Sequence, residues 1–196
     1  MLNDTSSALA LLATRRSSRP RDLVEPGPSA AEMASILTIA ARTPDHGKLH
    51  PWRFILVERD QRAALARLLE RAYLAANPGA GRTELEASQR FAEQAPSLVV
   101  VLCCPLQKSK IPVWEQELSC GAAVMNLLHA VHAHGYRGGW VTGWAIFSDI
   151  VRDAFGGPDD RIAGFVFIGT PAAEPEERPR PDLDAVVQTW SPPDEA

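Results

Sequence analysis

In Ser97-Leu98-Val99-Val100-Val101-Leu102-Cys103-Cys104 the stretch from Leu98 to Cys104 is an unbroken apolar run, closed by Pro105. Its valine content and lack of alternation are those of a central strand buried on both faces. Upstream, Trp52 to Glu58 reads as a buried strand, followed by a helix from Asp60 whose Leu65, Leu68, Leu69 and Ala72 run toward the breaker Asn77-Pro78-Gly79. Thr83 with Glu86 has the spacing of a capping box, opening a helix that ends before Pro96. Ser29-Ala30-Ala31-Glu32 is a second such box, after which Met33, Ile36, Leu37 and Ala40 recur at helical spacing. Ser6 or Ser7 caps a short helix through Thr14.

Downstream, Trp114 to His134 is the longest helical segment, and its middle, Ser119-Cys120-Gly121-Ala122-Ala123, has only small side chains that admit close packing. Gly135 is placed to end it, and Gly138 to Gly143 reads as a short strand. Ser148 caps a helix through Phe155, and Arg161 to Gly169, closed by Thr170-Pro171, is the last apolar strand. Helices and strands mix without strict alternation, so the fold class is α+β rather than a doubly wound sheet. Residues 1–171 form the domain. Residues 172–196, rich in proline, have little core of their own, although Val186-Val187-Gln188-Thr189-Trp190 is β-prone enough to pair with a sheet edge on a second subunit.

The 196 residues suffice for one domain with a core, and 45% apolar with 22% charged residues excludes a disordered or collagenous chain. A net charge of −4 argues against nucleic acid or an acidic membrane surface as partner, and no apolar run approaches the ~20 residues of a bilayer span. Three cysteines without zinc spacing read as buried reduced thiols, and the chain reads as cytoplasmic.

Charge is nevertheless uneven. Arg15, Arg16, Arg19 and Arg21 concentrate positive charge near the N-terminus, whereas the tail from Ala172 carries mostly acids. Arg15-Arg16-Ser17 offers two charged forks and a hydroxyl, a donor set that suits a phosphate. The same arginines also complement a helix C-terminus, and both readings are open on this segment alone. The loop Arg42-Thr43-Pro44-Asp45-His46-Gly47-Lys48-Leu49-His50-Pro51-Trp52 joins a helix to a buried strand, a position where loops hold ligands, and Asp45 is placed to orient His46 as a base. His129 and His132 share a helix face, but without a neighbouring carboxylate or cysteine they read as helix-end residues facing the dipole rather than metal ligands. Neither a dinucleotide fingerprint nor a Walker loop is present. Gly138-Gly139 permits a close backbone approach, either to a flat ligand or within a turn.

Taken in order, Arg15-Arg16-Ser17, the loop ending His50-Pro51-Trp52, Trp114-Glu115-Gln116-Glu117, Gly138-Gly139-Trp140-Val141-Thr142-Gly143 and Ile162 to Pro171 resemble the FMN-dependent nitroreductase family, in its short bacterial subgroup. The resemblance runs from about Ala8 to Pro171. It implies a mostly antiparallel central sheet wrapped by helices, a homodimer with two FMN molecules at its interface, and a C-terminal extension laid on the partner. Carried over by position, Arg15, Arg16 and Ser17 match contacts to the FMN phosphate and ribityl region, Arg42 and His46 the loop offered by the neighbouring subunit, and Trp140, Val141 and Thr142 another flavin-contacting segment. Many relatives have serine and asparagine where this chain has Asp45, His46 and Lys48.

A nicotinamide contact at Ala130 to Gly135, sometimes attached to this subgroup, coincides here with a helix end. The implied activity is ping-pong hydride transfer on FMN N5, from NADH or NADPH to a small-molecule electron acceptor such as a nitroaromatic or quinone, with no acid or base of the protein required. A flavin-binding sensor or store, or a flavoenzyme of the same fold that dehalogenates or oxidises, are the competing readings. If Arg16 holds the phosphate, Arg16→Ala weakens FMN binding at least tenfold in a flavin titration, and unchanged affinity assigns it to the helix end.

Overall fold

The computed structural model describes residues 1–192. Five strands, β1 (Leu23–Val24), β2 (Trp52–Leu56), β3 (Ser97–Cys103), β4 (Arg137–Val141) and β5 (Arg161–Pro171), form one antiparallel sheet. β3 lies between β2 and β5, β4 pairs with β5, and β1 pairs with the last two residues of β5. Alternation along β3 divides the core: Leu98, Val100 and Leu102 face one layer, Val99, Val101 and Cys103 the other. The first layer is closed by α3 (Arg62–Ala76), α4 (Arg82–Glu93) and α6 (Asp149–Asp153), the second by α2 (Ala30–Ala40) and α5 (Val113–Ala133). The fold is α+β, as the element order requires.

Local signals explain most boundaries. Ser7 caps α1 (Ala8–Thr14), both halves of the Ser29–Glu32 box form at α2, and Ser148 caps α6. The box at Thr83 does not form, because α4 begins two residues earlier with Gly81 as its cap and Glu86 pairs with Arg82 and Arg90 instead of turning back. The β-prone Val186 ends a single helical turn, α7 (Leu183–Val186), and Val187 to Trp190 pair with no strand among the described residues. Gly138 and Gly139 serve the chain itself rather than a ligand: Ser18 N–H donates to Gly138 O at 3.3 Å, and a Cβ on Gly139 would stand 2.6 Å from Ser18 O. The N-terminal segment is thereby laid against β4.

One buried cation supports the α3–α4 side. Arg62 is 2% exposed and stands three residues before Leu65 on the buried face of α3. Its guanidinium donates to Val57 O at 2.9 Å, Ala92 O at 2.8 Å, Gln94 O at 3.2 Å and Pro96 O at 3.4 Å, closing the turn into β3. Burial pushes it down to about 10, which leaves it charged at neutral pH. Arg62→Met leaves these carbonyls without their donor and lowers unfolding stability by about 3 kcal/mol in urea denaturation. A loss below about 1 kcal/mol shows that water replaces the guanidinium.

Candidate functional site: an anion group and an apolar cavity beside β4

Beyond α1 the chain is extended, and extended residues alternate sides. Arg15 and Ser17 therefore share one side, with Arg15 Nη1 donating to Ser17 Oγ at 3.1 Å. Arg16 turns to the other, where its Nε donates to Glu176 O at 3.0 Å. The two guanidinium groups make different contacts, Arg15 on the Ser17 hydroxyl and Arg16 on Glu176 O and, through Nη1 at 3.1 Å, on Ser17 O.

Around Arg15 positive charge collects, with one carboxylate at its edge: Glu177 Oε1 accepts from Arg180 Nη2 at 3.0 Å. Arg180 of the tail donates to Arg15 O at 3.3 Å, a contribution that the count of two arginines among the tail's acids could have signalled. Burial first, then the charges of Arg180 and Arg16, pushes Arg15 below the usual arginine range. His129 of α5 and Arg137 of β4 lie nearby, each lowered mainly by burial, with Arg15 also acting on His129. Glu174 is the one acid acting on Arg137. His129 Nδ1, Arg137 Nε and Ser18 Oγ are buried and have no partner. A dianion there would offset the mutual repulsion and fill open valences, so the donor set fits the phosphate of FMN.

His132 is not the helix-end cation its position implies. It is fully buried, its Nδ1 lies 2.8 Å from Asn3 Oδ1, and burial, then the charges of Arg137, Arg15 and His129, push it down to about 3. Ala130 and Val131 are equally buried, so the start of the 130–135 segment offers no surface to a nicotinamide.

The end of β4 forms a second feature. Val141 and Thr142, with Tyr73, Ser88, Phe91 and Trp144, line a largely apolar cavity of ≈ 390 Å³ between α3, α4 and the strand end. Tyr73 and Trp144 meet edge to face at 5.1 Å. Such walls suit a flat ring, and the cavity begins about 7 Å along β4 from the point where Ser18 crosses Gly139. Trp140 packs over Gly164, and its indole N–H is spent on Ala163 O at 3.0 Å.

Arg42 and His46 lie elsewhere. Gly47, at φ 77°, turns the loop so that His46 Nδ1 meets Glu115 Oε2 at 2.7 Å, while Ser119 Oγ donates to Pro44 O at 2.6 Å. Asp45 does not orient His46, because its carboxylate accepts from His50 N at 2.8 Å. Glu115 and His129 are fourteen residues apart on α5, about 21 Å of helix. Within one chain His46 and Arg15 therefore stand near opposite ends of α5.

Comparison with known proteins follows the same lines. Residues 12–170 match the profile described as "Nitroreductase family". The chain is 36% identical over 165 residues to YdjA of Escherichia coli (strain K12), which is named as a candidate NAD(P)H nitroreductase; the match covers 84% of this chain and 88% of that protein. Among solved structures, the nitroreductase-like family protein from Bacillus cereus superimposes with a TM-score of 0.80 at 17% identity, over 94% of this chain and 96% of that one. The FMN and NADPH-dependent nitroreductase NfnB from sphigopyxis sp. strain HMH gives 0.72 at 20% identity, over 94% and 99%.

The buried neutral His132 makes stability depend on pH. An unfolded histidine takes up its proton near pH 6.5, whereas the folded one resists it down to about 3. The unfolded state thus binds more protons between these values, and stability, complete above pH 6.5, falls as pH drops through that window by at most about 1.4 kcal/mol per unit. Thermal unfolding followed from pH 7 to pH 4.5 shows a steeper loss in the wild type than in His132→Gln. Parallel curves place the acid sensitivity elsewhere.

Proposed function

The chain belongs to the nitroreductase family, and from that premise we propose that it is an FMN-dependent oxidoreductase working as a homodimer with two cofactor sites shared between subunits. Held there, FMN would supply hydride chemistry between NADH or NADPH and a flat acceptor such as a nitroaromatic or quinone. Arg15, Ser17 and Arg180 hold the phosphate, with His129 and Arg137 beside it. Val141 and Thr142 carry the ring-binding end, and Arg42 and His46 serve the partner's cofactor.

The observation that carries the shared site is the layout of α5. Its outward face runs through Trp114, Leu118, Ala122 and Met125, with Trp114 67% and Leu118 54% exposed. Gly121 has no atom within 4 Å of where its Cβ would stand, leaving room for close approach. Two copies packed antiparallel along this stripe bury it and bring the His46 end of one chain toward the Arg15 end of the other. Each large apolar side chain so covered contributes roughly 1.5–3 kcal/mol. Residues 176–180 of the extension contact their own chain through Glu176 O and Arg180, but the exposed Leu183, Val186 and Trp190 are unburied there, which supports the reading that only the part from Leu183 onward lies on the partner.

The chain's own groups bind and orient and need not supply a proton. Among the described residues that line the cavity at the end of β4, Glu84 alone is charged, so that cavity favours neutral or cationic rings over carboxylated ones.

Purified protein is expected to be yellow and dimeric, and anaerobic NADH or NADPH should bleach its flavin absorbance within the mixing time of a few turnovers. Colourless protein that ignores added FMN contradicts the proposal, and bound FMN that neither nicotinamide reduces makes it a flavin store instead. Leu118→Asp should give a folded monomer whose FMN affinity is at least tenfold weaker, read by sedimentation at flavin wavelengths. A monomer with undiminished affinity refutes the shared site.

A further inference from the structure

Asn3 precedes the first helix, where chain ends commonly fray, yet it is only 4% exposed. Its backbone lies in the left-handed region at φ 54°, a conformation asparagine tolerates better than most residues. Its N–H donates to Thr14 O at 2.9 Å, and the next residue, Asp4, donates its N–H to Thr14 Oγ1 at 2.9 Å. Residues 3 and 4 are thus folded back onto the last turn of α1, at the point where the chain leaves for Arg15.

The side chain then does something a mere chain end would not require. Asn3 Oδ1 accepts Arg16 N–H at 2.8 Å and lies 2.8 Å from His132 Nδ1, so one carboxamide oxygen joins the backbone of the cation segment to the buried core of α5. The Arg16 N–H is the hinge of the Arg15–Ser17 alternation: holding it fixes which side Arg15 and Ser17 share. His132 supplies the fixed end, with its proton on Nδ1 and no freedom to move inside the core. Without the Asn3 oxygen, the main chain after α1 would be tied to the rest of the fold before the Pro20 turn by Ser18 N–H to Gly138 O and by the tail's Arg180 on Arg15 O.

We propose that Asn3 is a positioning residue of the anion site, its side-chain oxygen clamping Arg16 N–H to His132 so that Arg15 and Ser17 present their donors together to a phosphate. This rests on reading the site as the receptor for the phosphate of FMN. Asn3 touches no ligand itself. A purely structural role would weaken every ligand of the fold alike, whereas loss of the clamp removes recognition of the phosphate and leaves the ring-binding end intact.

Riboflavin, which carries the same ring and ribityl chain without the phosphate, separates the two. Both flavins are titrated by fluorescence quenching against the wild type, Asn3→Ala, His132→Leu and His132→Gln. The wild type should bind FMN at least tenfold more tightly than riboflavin. Asn3→Ala should lose about tenfold for FMN and less than twofold for riboflavin. His132→Leu, which removes the other half of the clamp, should show the same selective loss, and His132→Gln, which keeps an N–H donor, should recover most of it. These two variants decide the matter should Asn3→Ala not fold. Equal losses for both flavins, or no loss for either, overturn the role of Asn3 while leaving the cofactor reading in place. A wild type that does not prefer FMN to riboflavin overturns the phosphate reading itself, and the clamp with it.

Discussion

The length of α5 is the constraint from which the rest follows. It fixes the anion group around Arg15 and His129 near one end and the His46 loop near the other, and the rigid 1.5 Å rise of a helix does not let them meet. Between them the outward face is apolar and small, the composition of a surface that buries itself against its own copy. In the proposed dimer, a second chain running the other way would cover the exposed Trp114 and Leu118 and bring together two sets of residues that one chain keeps apart. Fold and function are linked at this point, because the packing that removes apolar surface from water is the packing that completes the proposed site.

The anion group and the cavity at the end of β4 rest on different physics. At the Arg15 end, cations from the N-terminal segment, β4 and the tail are held together, offset only in part by Glu177 on Arg180 and Glu174 near Arg137, and several buried polar atoms are unpaired. That arrangement costs stability in the absence of an anion and returns it as binding energy. At the Thr142 end the walls are aromatic and aliphatic, and burial rather than charge decides what enters. Asn3 and Arg62 belong to neither end. Each uses a buried polar side chain to hold irregular backbone beside an element that the site depends on.

Legibility in the sequence followed the range of the interaction. The Ser29–Glu32 box, the Ser148 cap and the valine run of β3 are local signals, and each forms as its residues dictate. Arg15 with Ser17 was visible as a donor set, but the different contacts of Arg16 are a consequence of extended backbone that composition does not display. The Thr83 box failed because Glu86 found arginines on its own helix face, a competition between two local rules. β1 is only two residues long and exists through its pairing with β5, so no pattern in Leu23–Val24 announces it. Val187 to Trp190 have the propensity of a strand but pair with no edge among the described residues. His132 and Asn3, 129 residues apart, are joined only by the tertiary fold, and nothing local distinguishes Asn3 from any other polar residue near a terminus.

Mixed dimers test the shared site most directly. One chain carries Arg15→Ala, the other carries Arg42→Ala with His46→Ala, and each variant alone forms dimers with two damaged sites. If every site draws Arg15 from one subunit and the Arg42–His46 loop from the other, a dimer made of one chain of each kind contains one intact site and one doubly damaged site. Purified mixed dimers should then bind one FMN with wild-type affinity. If they bind no better than the parent dimers, Arg15 and the loop do not serve a common cofactor and the account is wrong.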